Sequence, residues 1–229
     1  MTIGFRILPR ARARAVSADL VRAFAALPVA NVSDSMSRMT AGGPRLSRMH
    51  REGVLAGPAL TVKSRPGDNL MLHKAIDMAQ PGDVIVVDAG GDLTNSLMGE
   101  LMLAYAVKRG VAGFVLNGAI RDADAFRQVN LPVYAAGVTH RGPYKDGPGE
   151  INVPVAIDGM VIEPGDLVLG DADGVLSVPF DAAETVLAAT QAKQDAEAKQ
   201  MAAIEAGTND RAWVDAALKR LGCAMPDGI

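Results

Sequence analysis

The stretch from Val84 to Asn117 constrains the fold more tightly than any other part of the chain. Val84-Ile85-Val86-Val87-Asp88 is an unbroken β-branched run closed by an acid, and Gly113-Phe114-Val115-Leu116-Asn117 is a second apolar run. Between them, Leu97 to Arg109 places apolar side chains at helical spacing and stops at Gly110, a residue suited to the left-handed turn that ends a helix. Strand, helix, strand in so short a span is a βαβ unit, which requires parallel strands and a right-handed crossover.

The flanks extend this core. Residues 18–27 read as a helix closed by Pro28, and Asn31 to Arg38 as a second short one. Gly53 to Lys63 reads as a strand interrupted at Gly57-Pro58, where a proline is expected only at an edge or a bulge. Asp68 is a suitable N-cap for a helix from Asn69 to Ala79, and Pro81-Gly82-Asp83 is a turn. A short helix from Asp122 to Val129 and a strand from Pro132 to Ala136 follow, then a polar loop from Thr139 to Glu150. Asn152–Ile157, Leu167–Leu169 and Gly174–Val178 read as a meander of short strands. The expected class is therefore α/β, a mixed β/β/α sandwich around the βαβ core.

Asp181 to Ala206 has the composition of a strong helix former, Gly207-Thr208-Asn209-Asp210 breaks it, and a last helix runs from Arg211 to Leu221. The organisation predicted is an N-terminal helical extension over 1–30, a catalytic domain over 31–180 and a C-terminal helical arm over 181–229. Apolar residues in the arm are sparse and small, which points to oligomerisation through it, or else to a solvated helix on its own domain.

With 229 residues, 49% hydrophobic and 21% charged, the chain has the composition of one globular domain with additions. A net charge of -3, scattered basic residues and 4% aromatics give none of the footprint of a nucleic-acid binder. Met1 to Ala15 carries Arg6, Arg10, Arg12 and Arg14, resembling a transit peptide in its lack of acids, but has no apolar signal core. No stretch is long and apolar enough for a membrane span, and Cys223 is the sole cysteine, so a cytoplasmic location is expected.

Chemistry concentrates at the carboxyl ends of the two parallel strands, where open α/β sheets bind ligands. The first loop, Ala89-Gly90-Gly91-Asp92-Leu93-Thr94-Asn95-Ser96, leads to a helix start that would offer free N–H groups to an anion, a carboxylate rather than a nucleotide; glycines that merely make a turn are the alternative. The second strand ends in Asn117-Gly118-Ala119-Ile120-Arg121-Asp122. Arg121 can grip a carboxylate or enolate, and Asp122 can hold a hard cation through oxygen; alternatively Asp122 caps a helix and Arg121 is its surface partner.

Gly99-Glu100-Leu101, Arg121-Asp122, Asn117-Gly118 and Gly170-Asp171-Ala172-Asp173-Gly174-Val175 together resemble the family of 4-hydroxy-4-methyl-2-oxoglutarate / 4-carboxy-4-hydroxy-2-oxoadipate aldolases and regulators of ribonuclease E activity, over roughly Asn31 to Pro179. The resemblance implies a β/β/α swivelling-domain fold, assembly as a homotrimer or a dimer of trimers, and a site between subunits. It implies a divalent cation, Mg²⁺ or Mn²⁺ or similar, on Asp122, and Arg121 on the substrate's oxygens. The pyruvate carboxylate would lie on the N–H groups of Leu101 and Met102 beside Gly99, with Asn117 nearby. Glu100 would organise metal-bound water, although many members carry Asp there. The implied acid from a neighbour's C-terminal helix falls on Glu197. The implied reaction is metal-dependent cleavage of a 4-hydroxy-2-oxo dicarboxylic acid to pyruvate, with decarboxylation of oxaloacetate through the same enolate. The other implied reading is a non-enzymatic regulator of a ribonuclease or helicase, a kind of member that resembles the bare domain without long extensions.

Other polar residues carry weaker signals. The loop Thr139-His140-Arg141-Gly142-Pro143-Tyr144-Lys145-Asp146-Gly147 would close over a distal carboxylate, or simply be solvated. His50, His73 and His140 lack zinc-ligand spacing, His73 reading as packed or surface. Asp88 and Asp92 flank the glycine loop as supporting groups or turn caps, and Asp171 and Asp173 shape a turn.

Overall fold

The computed structural model describes residues 4–9, 14–40, 42 and 44–224. Arg10 and Arg12 lie outside the described residues. The elements begin with β1 (Phe5–Ile7), α1 (Ala18–Ala25), α2 (Val29–Ser35), β2 (Ser47–Arg48) and the long β3 (Leu55–Ser64). There follow α3 (Leu70–Met78), β4 (Val84–Asp88), β5 (Ser96–Met98), α4 (Glu100–Lys108), β6 (Gly113–Ile120), α5 (Ala123–Val129) and β7 (Val133–Val138). The chain continues through β8 (Gly149–Ile151), β9 (Val155–Ile157), β10 (Met160–Ile162), β11 (Leu167–Asp171) and β12 (Gly174–Val178) to α6 (Ala183–Glu205) and α7 (Ala212–Arg220). It divides into two compact units, Met1–Thr190 and Gln191–Ile229.

In the first unit the βαβ reading holds, with the second strand running on past Asn117 to Ile120: β4 and β6 run parallel, with Val84 opposite Gly113 and Asp88 opposite Asn117. They lie in a sheet of order β1-β8-β3-β4-β6-β7-β2, with β11 and β12 continuing from β3 and β5 added to β6. Strand alternation sends Leu116 and Phe114 to one face, where they pack with Ile76, Leu103 and Phe126 of α3, α4 and α5. Val115 and Val86 point to the other face, against Val155, Ile157 and Met160 of the β9–β10 hairpin. Phe24 of α1 and Val32 of α2 close a third apolar cluster on Leu169, Leu176 and Val186. The result is the expected α/β architecture in β/β/α layers.

Several local expectations are corrected. Helix α4 starts at Glu100, because Leu97 and Met98 belong to β5 and pair beside β6; apolar periodicity alone does not separate the two. Gly149 and Glu150, expected in a polar loop, begin strand β8 (Gly149–Ile151), paired with both β3 and β1. The front end is not helical throughout, since Phe5–Ile7 forms β1, where Arg6 pairs with Glu150 at 3.0 Å. Pro58 interrupts nothing: β3 pairs with β11 over Leu55–Pro58 and with β4 over Ala59–Lys63, so the missing N–H falls where the strand changes partners. Neighbouring Gly57 is required by space, as a Cβ there would stand 2.3 Å from the Gly82 carbonyl oxygen.

The second unit holds the rest of α6 and all of α7, in which no residue is buried. Among the described residues no helix is long and apolar enough to cross a membrane.

Candidate active site

Strand β6 delivers Arg121 and Asp122 to its carboxyl end. The Arg121 N–H donates to the Met98 carbonyl at 2.9 Å, continuing the β5–β6 pairing, and the chain then turns sharply. Asp122 makes that turn in the left-handed region, φ 57° and ψ 42°, as the residue that opens α5. Its side chain does not cap α5. Instead Oδ2 accepts the backbone N–H of Glu100 at 3.0 Å, while Arg121 Nε stands 3.6 Å from the same oxygen. Asp122 Oδ1 has no hydrogen-bond donor among the described residues.

Gly99 makes this convergence possible. Its φ of -142° is ordinary extended backbone, so the need is for space: a Cβ would lie 2.5 Å from Asp122 Oδ2 and 3.0 Å from Arg121 Nε. Helix α4 begins immediately beyond it. Of the N–H groups in its first turn, Glu100's is taken by Asp122, whereas those of Leu101 and Met102 have no acceptor within the helix.

These amides, Arg121 and Gly99 border a cleft of about 250 Å³. Its other walls include Asn69, which precedes α3, His73 within α3, Ser96 from β5, and Lys145. Of these, the sequence marks His73 only as a packed or surface residue, and Lys145 only as part of a polar loop. Asn69, fully buried, donates to the Leu97 carbonyl at 2.8 Å and accepts from Lys145 Nζ at 3.2 Å. Burial, and next the Lys145 ammonium, hold the His73 pKa below its ordinary value against the opposing pull of Asp77. Arg121 and Asp122 also border a recess of about 290 Å³ with Thr139 and His140, and Glu100 borders another of about 310 Å³ with Asp122 and Asp124. Glu100 is exposed there.

Asn117 is not in the cleft. It shares the alternation of Val115, which points away from α4, and it donates to Asp88 Oδ1 at 2.9 Å while accepting from Arg45 at 3.4 Å. Asp88 in turn accepts the Gly90 N–H at 3.1 Å, so both residues shape the glycine loop. Asp92 accepts from Thr94 at 2.8 Å. Asp171 holds its turn through the Asp173 N–H and also accepts from Val29 at the start of α2. Glu197 lies in the second unit, where Lys193 pairs with it at 2.9 Å. His50 is buried, its Nδ1 accepting the Val133 N–H at 3.0 Å.

For a cation, no group of three or more His, Cys, Asp or Glu side chains converges among the described residues. Asp122 nevertheless fits a hard cation such as Mg²⁺, which binds through one or two carboxylates and keeps several waters. Its Oδ1 is uncommitted, the side chain is 44% exposed to water, and Glu100 supplies a second carboxylate nearby.

A family model described as RraA-like, Aldolase/RraA, matches residues 29–177. The chain belongs to this family. A relative from Halalkalibacterium halodurans, provisionally named a 4-hydroxy-4-methyl-2-oxoglutarate aldolase, is 41% identical over 80% of this chain and 88% of its own length. The solved structure of the RNA-processing inhibitor RraA from Thermus thermophilis is similar at a TM-score of 0.62 and 30% identity, over 66% of this chain and 92% of that one. Streptomyces coelicolor RraAS2, described as an unusual member of the RNase ES inhibitor RraA family, superposes at a TM-score of 0.73 and 28% identity, over 82% of this chain and 98% of that one.

Proposed function

We propose that this protein is a carbon–carbon lyase that cleaves a 4-hydroxy-2-oxo dicarboxylic acid, such as 4-hydroxy-4-methyl-2-oxoglutarate, to pyruvate, and that it also decarboxylates oxaloacetate. The observation that carries the reading is that Arg121 lines one cleft with the residues whose free N–H groups open α4, Leu101 and Met102, and lines the adjoining recess with its neighbour Asp122. Aldolase-named relatives support it.

The N–H groups of Leu101 and Met102, at the positive end of the α4 dipole, would bind the substrate carboxylate. Arg121 would then donate to the 2-oxo oxygen, where negative charge develops. Cleavage breaks the C3–C4 bond; its electron pair moves toward C3 and the 2-oxo oxygen as pyruvate enolate, the 4-hydroxyl loses its proton, and C4 becomes a carbonyl. A proton returned to C3 gives pyruvate. Loss of carbon dioxide from oxaloacetate leaves the same enolate, so one arrangement serves both. Asp122, with Glu100 ordering water beside it, would hold a divalent cation, Mg²⁺ or Mn²⁺, which supplies Lewis-acid polarisation of the 2-oxo group when bound. Gly99 keeps Arg121 and Asp122 together by leaving room for both. The same reading has the chain act as a homotrimer or dimer of trimers in the cytoplasm, Glu197 reaching a neighbour's site.

The test is pyruvate release from both substrates, with Mg²⁺ and with chelator, by the unmodified protein and by Asp122→Ala. Metal-dependent release lost in the variant is expected; no release from either substrate overturns the lyase reading. The second reading, a regulator that binds a ribonuclease or helicase, draws on the likeness to the two inhibitor structures and would then stand in front.

A further inference from the structure

The loop carrying Lys145 is fastened to the start of α3 by two consecutive buried residues. Asp68 is fully buried, and its Oδ2 accepts the backbone N–H groups of Asp146 at 2.8 Å and Gly147 at 2.9 Å, while Oδ1 accepts that of Leu70 at 2.9 Å. Arg65 pairs with the same carboxylate at 3.0 Å and lies over the Tyr144 ring. Asn69 donates its N–H to the Tyr144 carbonyl at 3.0 Å, and Tyr144 donates to Gly67 at 2.9 Å. The other end of the loop is held too: Ser96 donates through N and Oγ to the Arg141 carbonyl, both at 2.9 Å. The segment is a fixed wall of the cleft, and its one cation there, Lys145, is aimed by the Asn69 amide oxygen.

Two cations thus face one cleft, Arg121 from the end of β6 and Lys145 from the clamped loop. Among the described residues that line the cleft there is no carboxylate, and the hydrogen-bond acceptor of Lys145 is an amide. A monocarboxylate satisfies Arg121 and the α4 amides and leaves that ammonium without a counter-charge; a dicarboxylate answers it. We propose that Lys145 is a specificity-determining residue that binds the second carboxylate of a dianionic 2-oxo acid, and that Asp68 is a positioning residue that holds Lys145 in place. This deepens the lyase reading and rests on it for the chemistry, but ligand binding tests it separately from turnover.

The experiment compares two ligands of equal chain length, 2-oxoglutarate and 2-oxopentanoate, by calorimetry on the full chain with Mg²⁺ present. The unmodified protein should bind the dianion at least about tenfold more tightly, the scale of one charge-assisted contact. Lys145→Met and Asp68→Asn should erase that preference and leave 2-oxopentanoate binding unchanged, and Lys145→Arg should retain it. Equal binding of both ligands by the unmodified protein, binding of neither, or equal weakening of both in the variants overturns the proposal. The clamp has a readout that needs no variant: the amides of Asp146 and Gly147 should exchange hydrogen slowly, and exchange at free-loop rates would remove Asp68 from its role. Pyruvate release from 4-hydroxy-4-methyl-2-oxoglutarate is assayed in parallel. Its absence alongside a retained dianion preference would count against the lyase reading alone.

Discussion

Glu100 donates its backbone N–H to Oδ2 of Asp122 at 3.0 Å, so the first residue of α4 is tied to the residue that opens α5. The carboxylate therefore has two duties, one structural through Oδ2 and one toward solvent through Oδ1, and they can be separated.

Asp122→Asn keeps an oxygen for the Glu100 N–H and tolerates the left-handed backbone, but loses the charge. Pyruvate release should fall by about 100-fold or more, the scale of removing one preorganised electrostatic group, with the urea midpoint nearly unchanged. Asp122→Ala should lose activity and, lacking the left-handed tolerance of Asn, also about 1 kcal/mol of stability relative to Asp122→Asn. Equal stability of the two variants would show that the backbone conformation is not maintained by the residue type.

Gly99→Ala places a methyl group against Asp122 Oδ2 and Arg121 Nε, in a backbone conformation open to any residue. The cost should therefore appear in the site rather than in folding: KM rises and kcat falls, while thermal unfolding shifts by only a few degrees. Both side chains end in solvent and can swing away.

Gly113→Ala is the opposite case. Its Cβ would meet the Pro132 carbonyl oxygen at 2.2 Å and Leu55 Cδ1 at 2.4 Å, in the middle of the core. Backbone cannot yield there as a flexible side chain does, so urea denaturation should show a loss of about 1–3 kcal/mol or more. A neutral result would mean that β6 and β7 slide apart at little cost.

His50 gives a pH dependence with a defined sign. Burial, the largest influence, holds its pKa below the ordinary value, so the unfolded chain binds the proton more readily. The associated stability is complete above the unfolded pKa of about 6.5 and declines as pH falls through the window below it. His73 is shifted in the same direction and adds to the effect. The urea midpoint of the unmodified protein should drop between pH 7 and pH 5, and His50→Gln should flatten part of that slope. An unchanged slope in the variant would move the cause elsewhere.

The sequence was most legible where one physical signal acted alone. Val84–Asp88 is a strand because four β-branched residues in a row have no helical period, and Arg121-Asp122 falls at a sheet edge because a strand precedes it. Leu97 and Met98 were assigned to the wrong element because a short apolar run beside a helix shares the helix's texture. The resemblance puts Asn117 in the site, yet strand alternation turns it to the opposite face, a fact visible only once the register is known. Asn69 and Lys145 were not singled out as a pair because they come from segments remote in sequence, joined by an amide-to-ammonium bond that no local pattern announces.

The exchange of partners at Pro58 divides the sheet mechanically. Upstream of it β3 is bonded to β11 of the β11–β12 hairpin, downstream to β4, whose other neighbour β6 leads to Arg121 and Asp122. The ladder toward β11 ends one residue later, where Ala59 donates to Asp166 and accepts from Gly165, and a strand that changes partners is a natural place for cooperativity to break. The hairpin should therefore open as its own exchange unit, at lower free energy than the βαβ half.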